Sequence, residues 1–60
     1  MQVYRRYELD EQGAILRGEW FEAASDQDAL AQIRAGAAER TVEVWQHARR
    51  IGRVEGPARQ

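Results

Sequence analysis

The sequence predicts an α+β fold of order ββαββ, in which one helix packs on one face of a four-stranded antiparallel sheet ordered 2-1-3-4. Two segments near the amino terminus are rich in aromatic and β-branched residues and flank a glycine turn, a pattern typical of a β-hairpin. An alanine-rich segment with apolar residues at helical spacing follows. Two further short segments that contain β-branched residues complete the predicted sheet.

The first hairpin joins residues 2–9 to residues 14–23 through Glu11-Gln12-Gly13. A three-residue loop with glycine last fits a type I turn that is closed by a left-handed residue. Gly13 supplies the positive φ at little steric cost. We therefore predict that Asp10 and Ala14 face each other across this turn.

An uninterrupted register from that turn fixes which residues oppose each other. It pairs Leu9 with Ile15, Arg5 with Glu19 and Val3 with Phe21 on one face, and Tyr4 with Trp20 on the other. This register gains an opposite-charge pair and an aromatic pair, whereas a slip by one residue would oppose Arg6 to Arg17.

Ser25 marks the start of a helix over residues 26–38, because its hydroxyl can accept a first-turn N–H. Acidic residues in the first turn suit the positive end of the helix dipole. The apolar stripe of this helix comprises Ala29, Leu30, Ile33 and Ala37. Gly36 offers an alternative, earlier end of the helix.

The third strand, residues 41–46, alternates cleanly, with Val42 and Val44 on one face and Glu43 and Trp45 on the other. After His47-Ala48, residues 49–54 form a shorter fourth strand. A crossover from the second strand to the third leaves room for the first between them. We predict a single domain over residues 1–56 and a loose tail over residues 57–60.

These residues also carry a resemblance. The chain resembles a group of short proteobacterial proteins of unknown role, frequent in alphaproteobacteria such as rhizobia. The matching residues are Tyr4, Arg5, Tyr7, Leu9, Asp10, Gly13, Ile15, Ser25, Asp26, Ala29, Val42, Glu43, Trp45, Gln46 and Arg49. The sequence departs from the group's pattern at Arg6, Glu8 and Val44. The resemblance implies a compact domain and carries no catalytic or binding residues.

Composition sets limits on the class of protein. Sixty residues without cysteine bury only about 60% of the unfolded surface, with no disulfide or thiolate site to support the core. The sequence contains neither the apolar run of a signal peptide nor one of membrane-spanning length. We therefore expect a cytoplasmic protein with no membrane partner.

The sequence offers little for catalysis or metal binding. His47 is the only histidine and falls in a predicted turn, while Ser25 and Thr41 are the only hydroxyl residues besides the tyrosines. A catalytic triad or a metal site needs several suitable groups in one place. We predict that the protein is not an enzyme and uses neither a metal nor another cofactor.

The sheet face away from the helix is the leading candidate for a binding surface. In the predicted register Tyr4, Leu16, Trp20 and Trp45 share this face, and a contiguous apolar group with two tryptophans is typical of an interaction surface. We predict a homodimer or another protein partner here. The alternative is that strand twist lets these rings cover the end of the sheet.

Arginines that lie beside aromatic residues suggest nucleic-acid binding as a second possible function. Arg5, Arg6, Arg50 and Arg53 could bind RNA or single-stranded DNA together with stacking aromatics. A formal net charge of −1 argues against this role, and exclusive use of arginine over lysine is also typical of a GC-rich genome. The simpler interpretation is surface pairing with Glu8, Glu19, Glu43 and Glu55.

Overall fold

The computed structural model describes residues 1–36 and 39–56 and contains the predicted elements in the predicted order. Within these residues the strands and the helix are β1 (Gln2–Leu9), β2 (Ile15–Ala23), α1 (Asp26–Ala35), β3 (Val42–Gln46) and β4 (Arg49–Val54). The sheet order is β2-β1-β3-β4, and every neighbouring pair is antiparallel. The predicted α+β architecture is therefore confirmed.

The first turn has the predicted geometry. Gly13 has φ 88, and its N–H donates to the Asp10 carbonyl at 3.1 Å. The Asp10 N–H donates to the Ala14 carbonyl at 2.9 Å, which confirms that these two residues face each other. The Asp10 carboxylate also accepts hydrogen bonds from the backbone N–H groups of Gln12 and Ala14, each at 2.9 Å. These bonds stabilise the turn.

The strand register departs from prediction just beyond this turn. Leu9 lies opposite Ile15 as predicted, but Glu8 lies opposite Arg17, so Leu16 is an extra residue in β2. Such a bulge shifts all later pairs by one residue. The predicted pairs Arg5–Glu19, Val3–Phe21 and Tyr4–Trp20 are therefore wrong.

The shifted register is electrostatically better than the predicted one. It places Glu8 opposite Arg17 and Arg6 opposite Glu19, which gives two opposite-charge pairs where the uninterrupted register gives one. An aromatic pair is kept as well, because Tyr4 now lies opposite Phe21, with ring centroids 5.8 Å apart.

Tyr4 belongs to the core, contrary to prediction. Its side chain is fully buried with Val42 and Val44, and its hydroxyl donates to Asp26 at 2.8 Å. The bulge is the reason, because it aligns Tyr4 with Phe21 on the helix side instead of with Trp20. The other buried residues of the cluster are Ala23, Ala29 and Ile33.

The helix begins as predicted and ends earlier than residue 38. The Ser25 hydroxyl accepts the Asp28 N–H at 3.1 Å, while the Asp28 carboxylate accepts the Ala24 N–H at 3.0 Å. Gly36 caps the carboxyl end after Ala35. Residues 37–38, where the longer helix would have ended, and the predicted tail over 57–60 lie outside the described residues.

Leu30 fixes how the helix approaches the last strand. A Cβ on Gly52 would lie 3.0 Å from a methyl carbon of Leu30, so the glycine lets the helix settle close to β4. Ile51 and Val54 pack at the margin of the same cluster.

Within the described residues, no helix is long and apolar enough to cross a membrane.

Candidate interaction surface

The strand register places the candidate residues on the outer face, defined here as the sheet face away from α1. Arg5 lies opposite Trp20 on one side and opposite Trp45 on the other. Directly opposite residues share a face, so one row crosses three strands. Val44, one position from Trp45, is fully buried on the helix side, which confirms the predicted alternation of β3.

Arg5 lies against two aromatic rings. Its guanidinium carbon is 4.5 Å from the centroid of Trp20 and 5.4 Å from that of Tyr7, within cation–π range. It forms no ion pair with any acidic residue that the structure describes. Among the described residues the guanidinium therefore interacts with two ring faces and not with a carboxylate.

Gly18 provides the space for this arrangement. A Cβ at this position would lie 3.0 Å from Arg5 Nη2 and 3.0 Å from Tyr7 Cε1. Any larger residue would push the guanidinium or the phenol ring aside. The sequence analysis did not single out Gly18, although a glycine within a strand is a recognised sign of close approach by another group.

The contacts continue toward β4. Tyr7 and Trp45 meet edge to face, with centroids 6.5 Å apart and planes at 83°. The Trp45 indole N–H donates to Glu43 Oε1 at 3.2 Å, and Arg50 Nη1 donates to Glu43 Oε2 at 3.3 Å. Glu43, previously considered only for surface pairing, thus anchors the indole.

These six residues form one connected set, called here the outer-face row. Its members are Trp20, Arg5, Tyr7, Trp45, Glu43 and Arg50. Trp20 is the most accessible large side chain among them, at 65% exposure. The row joins the two predicted tryptophans through Arg5 and Tyr7.

The other predicted interface residues divide into two groups. Leu16 is about half exposed at the bulge, whereas Tyr4 is buried beneath the helix and cannot contribute to a surface. Val3 and Ile15, which the sequence analysis did not select, are also exposed. Their exposure could have been predicted from their positions near the ends of the first two strands, where few neighbouring residues cover a side chain.

The predicted arginine set is split between the two faces. Arg5, Arg50 and Arg53 lie on the outer face, but Arg6 lies opposite Val44 and therefore on the helix side. Placing Arg6 with the other three was wrong. Arg53 pairs with Glu55 at 2.9 Å, and Arg50 pairs with Glu43. Of these three outer-face arginines, Arg5 is therefore the one without an ion pair among the described residues.

The perturbed titratable groups of this region lie on the helix side. Burial, and then the hydrogen bond to Asp26, raise the pKa of Tyr4. Hydrogen bonds from Tyr4 and Arg49 lower the pKa of Asp26. Arg49 Nη1 lies 3.2 Å from the Asp26 carboxylate, so these groups tie β1, α1 and β4 together.

Groups that could support chemistry are dispersed. His47 is exposed in the β3–β4 turn with φ 55, and Ser25 is engaged in capping α1. No cluster of three or more potential metal ligands occurs in residues 1–36 and 39–56. An open depression of about 320 Å³ near Leu9 and Thr41 is lined by none of the outer-face row.

No family model, curated protein or solved structure matches this chain.

Proposed function

We propose that this protein is a small, non-catalytic interaction module that self-associates as a symmetric dimer through the outer face of its sheet. The observation that carries this proposal is the outer-face row, in which two tryptophans are connected through Arg5 and Tyr7 on a face that α1 does not cover. Aromatic residues and arginine are the side chains most enriched at the centres of protein interfaces.

The charges of the outer face suit a partner with the same surface. Arg5 lies on this face without an ion pair among the described residues, while Glu22 lies opposite Val3 on the same face. In a symmetric dimer each copy presents the same patch to the other. Two copies can therefore bring an arginine of one against a glutamate of the other while burying their indoles.

Light scattering coupled to size exclusion tests this proposal at micromolar concentrations. We expect the wild-type protein to be a dimer. The Trp45→Thr substitution should raise the dissociation constant of the dimer at least about tenfold, because buried interface tryptophans dominate binding energy. Arg34→Ala is the matched control, since this exposed residue lies on α1 on the other side of the molecule. Far-ultraviolet circular dichroism confirms that each variant is folded.

A strictly monomeric wild-type protein at these concentrations would exclude the dimer. Equal dissociation of the Trp45→Thr and Arg34→Ala variants would exclude the outer face as its interface.

A second candidate function is binding of RNA or single-stranded DNA, and the stacking of Arg5 on Trp20 favours it. An exposed indole beside a guanidinium that forms no ion pair with the described residues can stack a base and contact a phosphate. Arg5→Ala and Arg6→Ala form a matched pair, because the two arginines are adjacent in β1 and lie on opposite faces. Titration with a fluorescent single-stranded oligonucleotide should show loss of affinity in the first variant only.

Salt dependence provides the second readout for this candidate. Binding through phosphates weakens steeply as salt concentration rises. Binding that is indifferent to salt, or equally weakened by both substitutions, would dismiss the nucleic-acid role.

A further inference from the structure

One edge of β2 has no strand partner among residues 1–36 and 39–56. β2 spans Ile15–Ala23, and in this part of the chain it pairs with β1 on one side only. Among the described residues, one hydrogen bond from outside the sheet reaches its backbone, from the Gln32 side chain to the Glu22 carbonyl at 3.0 Å. Free edges of this kind present N–H and C=O groups that can add another strand.

The side chains along this edge alternate in a way that suits a second copy. Arg17 and Glu19 are two residues apart on one face, where they form an ion pair and remain 61% and 50% exposed. Leu16 and Trp20, which flank them, are exposed apolar residues. The edge therefore carries a charged pair between two apolar positions, with Gly18 at its centre.

Symmetry restricts how two such edges can pair. A two-fold axis that joins two antiparallel edges is perpendicular to the sheet, so paired residues of the two copies lie on the same face. Because side chains alternate between faces, one residue must lie opposite its own copy. The choice of that residue fixes every other pair.

Charge complementarity selects one of the possible registers. An axis at Arg17 or at Glu19 opposes two like charges, and an axis at Leu16 or Trp20 pairs neither charge with its opposite. An axis at Gly18 pairs Arg17 of each copy with Glu19 of the other, and Leu16 with Trp20. Opposite charges across strands stabilise pairing and like charges destabilise it.

We infer that a second copy of this chain adds to the free edge of β2, antiparallel and with Gly18 on the two-fold axis, to give a continuous eight-stranded sheet. The contact uses Leu16–Trp20 of each copy and ends at the bulge. It differs from the outer-face contact proposed above in using backbone groups and the Arg17 and Glu19 side chains, although Trp20 borders both contacts. A chain that makes both contacts forms assemblies larger than a dimer. The outer faces of both copies then lie on one side of the joined sheet.

Charge reversal provides a sharp test of this register. In the paired state, R17E places four acidic side chains at the interface between the two copies, and E19R places four arginines there. Each variant alone should therefore associate at least about tenfold more weakly than wild type. Mixed together, the two variants should form a one-to-one heterodimer, detected by native mass spectrometry from their different masses. The double variant R17E/E19R should associate more tightly than either single variant, because it restores opposite charges between the copies, although it opposes like charges at Glu8 and Arg6 within each copy.

Hydrogen exchange adds a readout at the backbone. The Gly18 and Trp20 amides should gain protection as the wild-type protein is concentrated, and they should not in E19R alone. Arg34→Glu is the control for a general effect of charge, because Arg34 is exposed on α1. Circular dichroism verifies the fold of each variant.

The outcomes separate this inference from the outer-face proposal. Single variants that dimerise like wild type, or fail to form the heterodimer, overturn the β2 register. If Trp45→Thr alone abolishes association, the outer face is the interface and the edge is not. Protection of Gly18 by an unrelated extended peptide but not by a second copy would also overturn it, as would a wild-type chain that is always monomeric.

Discussion

The Tyr4 side chain links three elements of the fold. It is buried in β1, its hydroxyl donates to Asp26 at the start of α1, and Asp26 also binds Arg49 in β4. A buried tyrosine needs a partner for its hydroxyl, and the helix start supplies it. The Tyr4 ring and the Asp26 carboxylate thereby set where the helix begins over the sheet.

The direction of the two pKa shifts predicts how stability depends on pH. The pKa of Tyr4 is raised in the fold, so its contribution is complete below the ordinary phenol range and is lost as pH rises through the folded value. The pKa of Asp26 is lowered, so its contribution is present above the ordinary aspartate range and is lost as pH falls through the folded value.

The Tyr4→Phe variant should therefore unfold at lower urea concentration than wild type near neutral pH. Its free energy of unfolding should also fall less than that of wild type as the pH becomes alkaline. Urea unfolding at neutral and alkaline pH measures both effects. Tyr7→Phe is the matched control, because Tyr7 lies in the same strand on the outer face. A control variant that changes as much as Tyr4→Phe would contradict the role given to the buried hydroxyl.

Local chemistry determined which helix and strand features the sequence could predict. The first turn was predictable because Gly13 and Asp10 have specific local roles, and the helix start because Ser25 is a strong capping residue. The alternation of β3 placed Trp45 correctly on the outer face. These features depend on a few neighbouring residues.

The bulge in β2 was not predictable by the same means. Leu16 is as suitable for a regular strand as Ile15, and the register shift it causes is favoured by distant pairs such as Glu8 with Arg17 and Arg6 with Glu19. One extra residue moved Tyr4 to the core. The sheet face was therefore predicted correctly for Trp20 and Trp45 and wrongly for Tyr4.

The contact between Leu30 and Gly52 gives a prediction about stability. Gly52→Val should destabilise the fold by about 1–3 kcal/mol, because the added methyl groups must displace Leu30 and with it the helix. Urea unfolding measures the loss. Gly52→Ala is the graded control and should cost less, whereas equal stability of the valine variant and wild type would show that the helix does not rest on this strand.

One helix on a four-stranded sheet gives the molecule a small core and a sheet face that α1 does not cover. Few large side chains are fully buried, namely Tyr4, Val42 and Val44 among the described residues. Domains of this size bury a limited share of their surface and gain stability from oligomerisation. Association through the outer face or the β2 edge would supply part of that stability.

The melting temperature should accordingly depend on protein concentration. If the native state dimerises, a rise of about a hundredfold in concentration above the dissociation constant should raise Tm by several degrees. Differential scanning calorimetry across that range measures the shift. The E19R variant should show a smaller dependence, and a wild-type Tm that is constant over the range would argue against a dimer.

The outer-face row also makes this protein its own optical reporter. The chain contains two tryptophans, and both lie on the same side of the sheet, one stacked on a guanidinium and the other hydrogen-bonded to a carboxylate. Tryptophan emission, excited at wavelengths that tyrosine does not absorb, therefore originates from that side. A molecule that docks there changes the signal directly, whereas one that docks on the helix leaves both indoles in place, so the binding side can be assigned without a dye.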